Sequence, residues 1–178
     1  MNSRRTILLG ALLTIFAFAG CATGLPEDVA KLAYVSRDNR FAMDVPPGWK
    51  VRESGGPAAV IVRKPAAEGR DTPNIDVVAE NHLAGAPLAE WVRLSKSHLA
   101  DLPGFKLISE GPATTADGRQ AWTITFRQDA LARPVQQRQL YVLAAERAYI
   151  VTATAAPETF AAEEPDFDIC FRSFRAGW

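Results

Sequence analysis

Ser95, His98 and Asp101 are the residue types of an acyl-transfer triad, in which a base takes the proton of a nucleophile while an acid orients the base. They stand three apart in "PLAEWVRLSKSHLADLPG", a segment with helical periodicity, and side chains on one helix do not readily supply those roles in that order. The chain has no GxSxG elbow to place a serine on a sharp strand-to-helix turn. A zinc site requires convergent His, Cys or carboxylate ligands, whereas His82 and His98 are 16 apart, with no CxxC or HxxxH. His98 flanks the apolar stripe of the helical segment and His82 lies in a strand-to-helix connection, so each reads as a packing or surface residue. "ESGGP" is glycine-rich but lacks the lysine and following helix of a phosphate cradle; it reads as a turn. The pairs Glu163/Glu164 and Asp166/Asp168 have the composition for acid and base work or Ca²⁺ binding. Beside Pro165 they are better explained by helix capping and solubility. Trp49, Trp91, Trp122 and Trp178 have the character of groove-lining residues, although three of them fall on core stripes or beside a turn. Trp178, at the end of the sequence, is expected to be more exposed. No catalytic set, cofactor or metal site is therefore expected.

The remaining chemistry belongs to two cysteines, Cys21 and Cys170. Residues 1–20 carry Arg4 and Arg5, the apolar run "TILLGALLTIFAFA" and then Gly20 before Cys21, the order of a secretory signal. Fourteen helical residues rise about 21 Å, short of the ~30 Å hydrocarbon core. "FAGC" resembles the lipobox of bacterial lipoproteins: Ala19, Gly20 and Cys21 match, and Phe18 replaces the usual leucine. The resemblance implies cleavage before Cys21 and a diacylglycerol thioether on its sulfur. The alternative is an ordinary signal peptide cut elsewhere. Several acyl chains anchor firmly where one is marginal. Ala22 in place of aspartate resembles outer-membrane sorting signals, and "SRRTIL" faintly resembles a twin-arginine signal; the strongly apolar run favours general secretion. With lipid on Cys21, Cys170 is expected to be a buried thiol; a Cys21–Cys170 disulfide is the mutually exclusive arrangement.

The elements around these residues indicate one domain. Cleavage leaves 158 of the 178 residues, and losing Arg4 and Arg5 leaves 18 basic against 20 acidic side chains, which gives no basic excess for a nucleic acid. Residues 21–30 read as a polar tether and 31–178 as the folded body. "RFAMDV" alternates as a half-buried strand, Pro47 and Gly48 suit a type II turn, and "AAVIVR" and "NIDVVAE" are further strands. The mid-chain helix places Leu88, Trp91, Val92, Ser95, Leu99 and Leu102 on one stripe, with Pro87 at its first position and Pro103-Gly104 ending it. "TTADGRQAWTITFR" predicts a hairpin through a two-residue type I′ turn at Asp117-Gly118. A second hairpin is predicted across Glu146 and Arg147, and a terminal helix from Pro165 that carries Phe167, Cys170, Phe171 and Phe174. Residues 64–73 and 128–137 read as polar loops in which "RKPAAEGR", Arg133 and Arg138 offer basic points to an acidic partner or headgroup. About seven hairpin-connected strands with two helices predict an α+β fold, a twisted antiparallel sheet covered by helices.

"RFAMDVPPGW", the amphipathic mid-chain helix, "AYIVTAT" and the terminal "RSF" together resemble the PsbP-like superfamily, most closely its DcrB-type bacterial lipoproteins. The resemblance spans Phe41 to Phe174. It implies an α/β/α sandwich and a superfamily of extrinsic subunits, adaptors and envelope lipoproteins without a shared catalytic set. Phe41, Pro47, Gly48, Trp49, Ser173 and Phe174 then read as turn and core residues. The expectation is a non-enzymatic protein, anchored to the envelope by lipid on Cys21, facing the periplasm from the outer membrane and binding or stabilising an envelope protein. A carrier of a small apolar ligand between helix and sheet is the alternative, and an unrecognised hydrolase a weaker one.

Overall fold

A computed structural model of the chain describes residues 24–54, 56–65, 72–82, 85–130, 133–144 and 146–178. The signal segment and Cys21 lie outside the described residues, as do 66–71 of the first polar loop. The elements run α1 (Glu27–Ala30), β1 (Tyr34–Ser36), β2 (Phe41–Met43), β3 (Lys50–Glu53), β4 (Ala58–Arg63), β5 (Asn74–Asn81), α2 (Leu88–Ala100), β6 (Lys106–Thr114), β7 (Gln120–Ala130), β8 (Arg133–Ala144), β9 (Arg147–Ala155), α3 (Phe160–Ser173) and β10 (Arg175–Ala176). Seven strands form one antiparallel sheet in the order β3-β4-β5-β9-β8-β7-β6, and β1-β2-β10 form a small second sheet. The α+β expectation is met.

Strand alternation divides the large sheet into two apolar faces. On one, Val60, Val62, Ile75, Val77, Tyr149 and Val151 pack with Phe160, Phe167, Cys170 and Phe171 of α3 and with Phe41 and Met43 of β2. On the other, Ile124, Phe126, Tyr141 and Ile150 meet Trp91, Val92 and Leu99 of α2. The register Trp122↔Tyr141↔Ile150 keeps these side chains on the α2 side. Helices on both faces make the sandwich. β2 departs from the predicted alternation, because Ala42 is as fully buried as Phe41 and Met43; β2 is the middle strand of the small sheet, flanked by β1 and β10.

The turns show where local chemistry was and was not sufficient. The Trp49 N–H donates to the Pro46 carbonyl at 3.1 Å, and Gly48 has φ 80°, the predicted type II turn. The β6–β7 hairpin differs from its prediction. Gly118 has φ 79° while Asp117 does not have a positive φ, Gly118 N–H donates to Thr115 O at 3.0 Å, and Thr115 N–H donates to Arg119 O at 3.0 Å. This is a three-residue loop in which only glycine takes the left-handed position, the arrangement next in frequency to the two-residue turn. The buried Thr115 stabilises it by accepting the Arg119 N–H on its hydroxyl at 3.0 Å.

Five further expectations are corrected. α3 begins at Phe160 and passes through Pro165, because burying Phe160 against Phe167, at 5.3 Å between ring centroids, outweighs the backbone bond that proline forfeits. Pro87 is the residue before α2 and not its first position. Residues 128–130 and 133–137 extend β7 and β8 and are not a loop; the Gln128 amide donates to Gln137 at 3.3 Å and Gln137 to Thr154 at 3.1 Å, a cross-strand ladder without apolar alternation. Arg147 belongs to β9, paired with Ala144, and not to the turn. Finally, 27–30 are not tether: α1 buries Val29, and Asp28 is held by Arg175 at 2.7 Å.

Candidate functional site

The residues that could form a triad are not assembled by the fold. Ser95 is half-buried, whereas His98 and Asp101 are exposed at the end of α2. His82 Nε2 lies 3.2 Å from the Ala86 carbonyl, and its ring is 6.2 Å from Trp91; it fastens the β5–α2 connection. Among the described residues no group of three His, Cys, Asp or Glu could hold a metal ion. Cys170 is a free, fully buried thiol, pushed up to about 12 first by burial and then by Asp44 and Asp166. It is a packing residue, as expected.

Three of the four α3 carboxylates are engaged in ion pairs instead of capping, while Glu164 is exposed to solvent. Lys64 binds Glu163 at 2.9 Å and Asp166 at 3.7 Å, while Asp168 joins Arg138 at 2.7 Å and Arg172 at 2.8 Å. The Arg138 guanidinium also lies 4.5 Å from the ring centre of Phe171. Two of the basic points expected to face a partner, Lys64 and Arg138, therefore brace α3 against the body. Trp49 is buried, packs edge-on to Phe167 and donates to Asp166 at 3.3 Å. Trp178 is half-buried on the edge of the core, less exposed than expected. Phe41 stacks on Phe174 at 5.7 Å, and Ser173 Oγ accepts the Asp44 N–H at 2.7 Å. The residues behind the superfamily resemblance are thus turn and core elements.

A groove remains on the α2 side of the sheet. The apolar stripe of α2 centres the helix on β7 and β8, with Val92 only 5% exposed. Beyond β7 the edge strand β6 turns Glu110 and Pro112 toward the helix, paired with Ile124 and Trp122. Neither is a long apolar side chain able to fill the gap, so a groove of about 610 Å³ lies between helix and edge strand, within the usual range for a small-molecule site. Leu88, Ala89 and Val92 form one wall, and Pro112, Ala113 and Trp122 the other.

Its polar lining residues are Arg93, Lys96, Glu110, Thr114 and Gln120. Lys96 Nζ binds Glu110 Oε1 at 2.5 Å and Trp122 Nε1–H donates to Glu110 Oε2 at 3.4 Å. The Lys96 hydrogen bond is the main cause holding the Glu110 carboxyl below its ordinary range. Arg93 lines the same groove, is exposed, and has no hydrogen-bond or ion-pair partner among the described residues. Trp122 is thus both a packing residue and a groove wall. Arg93, Lys96, Glu110 and Pro112 are not evident as neighbours from the sequence; the available signal was proline and small residues in "EGPAT", where an edge strand facing a helix should carry apolar bulk. A second, polar cleft of about 570 Å³ lies by Tyr34 and Glu53. Its Ser36 hydroxyl accepts Asn39 at 3.2 Å.

The fold has known counterparts. LpqN of Mycobacterium tuberculosis, described as involved in cell envelope biogenesis, shares it with a TM-score of 0.64 at 16% identity, over 78% of this chain and 83% of that one. PsbP (CyanoP) of Synechocystis sp. PCC 6803 matches with a TM-score of 0.56 at 15% identity, over 80% and 90%. The Ran-binding protein Mog1p of Saccharomyces cerevisiae matches with a TM-score of 0.55 at 13% identity, over 80% and 93%. These likenesses bear out the PsbP-like fold. No curated protein matches the chain. The family described as probable lipoprotein LpqN matches residues 33–175, where the sequence alone pointed to DcrB-type lipoproteins. The chain belongs to the LpqN lipoprotein family.

Proposed function

We propose that this protein is a non-catalytic lipoprotein of the bacterial envelope, anchored through lipid on Cys21, facing the periplasm from the outer membrane and holding or stabilising another envelope protein. The observation that carries this reading is the family match over residues 33–175, which adds to the lipobox-like junction at Cys21. The geometry supports it: His82, Glu163, Asp166 and Asp168 have structural partners, Ser95 is half-buried on α2, and His98 stands on an exposed helix end. Residues 1–20 are then a signal peptide removed before Cys21. Photo-crosslinking in intact cells, from reactive residues placed along exposed strand β6, tests the binding role. One reproducible envelope protein should be captured; uniform absence of adducts from all positions would contradict it.

The groove beside α2 favours a second reading, a carrier of a small apolar ligand. Its apolar walls are Leu88, Val92, Pro112, Ala113 and Trp122, and two of its three charged residues, Lys96 and Glu110, pair with each other. Native mass spectrometry of the protein taken from its membrane should then show a bound small molecule, and the bare chain alone would count against a carrier.

A further inference from the structure

We propose that the groove between α2 and β6 binds a single-chain anionic amphiphile, a long-chain fatty acid, with its tail against Val92, Pro112 and Trp122 and its carboxylate at Arg93. The inference deepens the carrier reading and rests on it, independently of the anchor. The walls are apolar and the volume of about 610 Å³ suits one ligand. The rim supplies the sign of the head group. Lys96 is neutralised by Glu110 at 2.5 Å, which leaves Arg93 as the charge lining the groove without a partner among the described residues. A guanidinium pairs with a carboxylate through two parallel N–H donors, and at a groove mouth it holds the head at the water boundary while the tail is covered. Glu110, fixed by Lys96 and Trp122, disfavours the opposite arrangement with the acid head on β6.

The test uses the full chain in nanodiscs of zwitterionic phospholipid, exposed to a diazirine-bearing palmitic acid or to the matching diazirine-bearing hexadecanol. After irradiation, adducts of the acid should fall on peptides carrying Val92, Pro112 and Trp122. Ala89→Trp, on the exposed helix rim, should reduce that labelling about tenfold by filling the groove, and Arg93→Glu about fivefold. The alcohol should label about fivefold less than the acid and be indifferent to Arg93→Glu. Circular dichroism confirms that both variants fold; Ala89→Leu serves if the tryptophan variant does not. Adducts scattered over the surface, or unchanged by the groove-filling variant, overturn the site, and equal labelling by acid and alcohol overturns the anionic head. Cys21→Ala in the same full chain should retain the labelling. Failure of anchoring is thereby distinguished from failure of the groove.

Discussion

Ser173 Oγ accepts the Asp44 N–H at 2.7 Å and donates to the Ile169 carbonyl at 2.6 Å, so one hydroxyl ties the end of α3 to the strand of the small sheet. Ser173→Ala should cost about 1–2 kcal/mol, seen as a lower urea midpoint with unchanged slope; an unchanged midpoint would show the tie to be idle. Asp76 offers a pH-dependent counterpart. Burial raises its carboxyl from 3.8 to about 6, so the native state keeps a proton that the unfolded chain releases. Its contribution is fully present below pH ~4 and is lost as pH rises through ~6, by on the order of 2–3 kcal/mol. Asp76→Asn should flatten stability between pH 4 and 7 in urea titrations, and a persisting slope would assign the effect elsewhere. Side-chain roles were legible at Phe41, Trp49 and Cys170, where type and pattern agree. Arg138 was misread because its partners, Asp168 and Phe171, are brought to it only by the docking of α3.

Elements were legible where periodicity and punctuation coincide. β4 matches "AAVIVR" residue for residue, and α2 carries the predicted stripe and stops before Pro103-Gly104. Gly104 has φ 65°, and a Cβ there would run into the Asp129 carboxylate. Asp129 N–H donates to the Pro103 carbonyl at 2.7 Å, which fastens the helix end to β7. Gly104→Ala should therefore lose about 1–2 kcal/mol from backbone strain alone, with more from the clash, measured as a fall of several degrees in Tm. Pro165 is the converse case. Within α3 it lacks an N–H, and Pro165→Ala should raise stability by about 1–3 kcal/mol; a loss would mean that the ring's own packing outweighs the restored bond. The start of α3 and the outer halves of β7 and β8 were illegible because tertiary packing of Phe160 overrides a proline, and because a two-sided polar ladder has no apolar period to read.

At the scale of the molecule, the sandwich places its two helices on opposite faces and keeps the α2 face incompletely filled at the β6 edge. The anchor reading constrains how this body sits. If Cys21 carries the proposed lipid, the five residue steps from it to Pro26, where the packed segment starts, extend to at most about 18 Å and would keep the body close to the bilayer. Val29→Ala, which empties the seat of α1, should cost about 1–2 kcal/mol and open residues 24–31 to protease; unchanged digestion would restore the free tether. A cavity between helix and sheet was foreseeable in outline, but the place and lining of the groove were not, since it arises from two elements, α2 and β6, that each follow their own pattern and fail to meet.

The proposed anchor at Cys21 is tested most directly by the intact mass of the protein extracted from cells that make it. The account predicts a chain beginning at Cys21, carrying diacylglycerol on sulfur and a free thiol at Cys170. A water-soluble chain without lipid, or one with Cys21 and Cys170 joined in a disulfide, would contradict it.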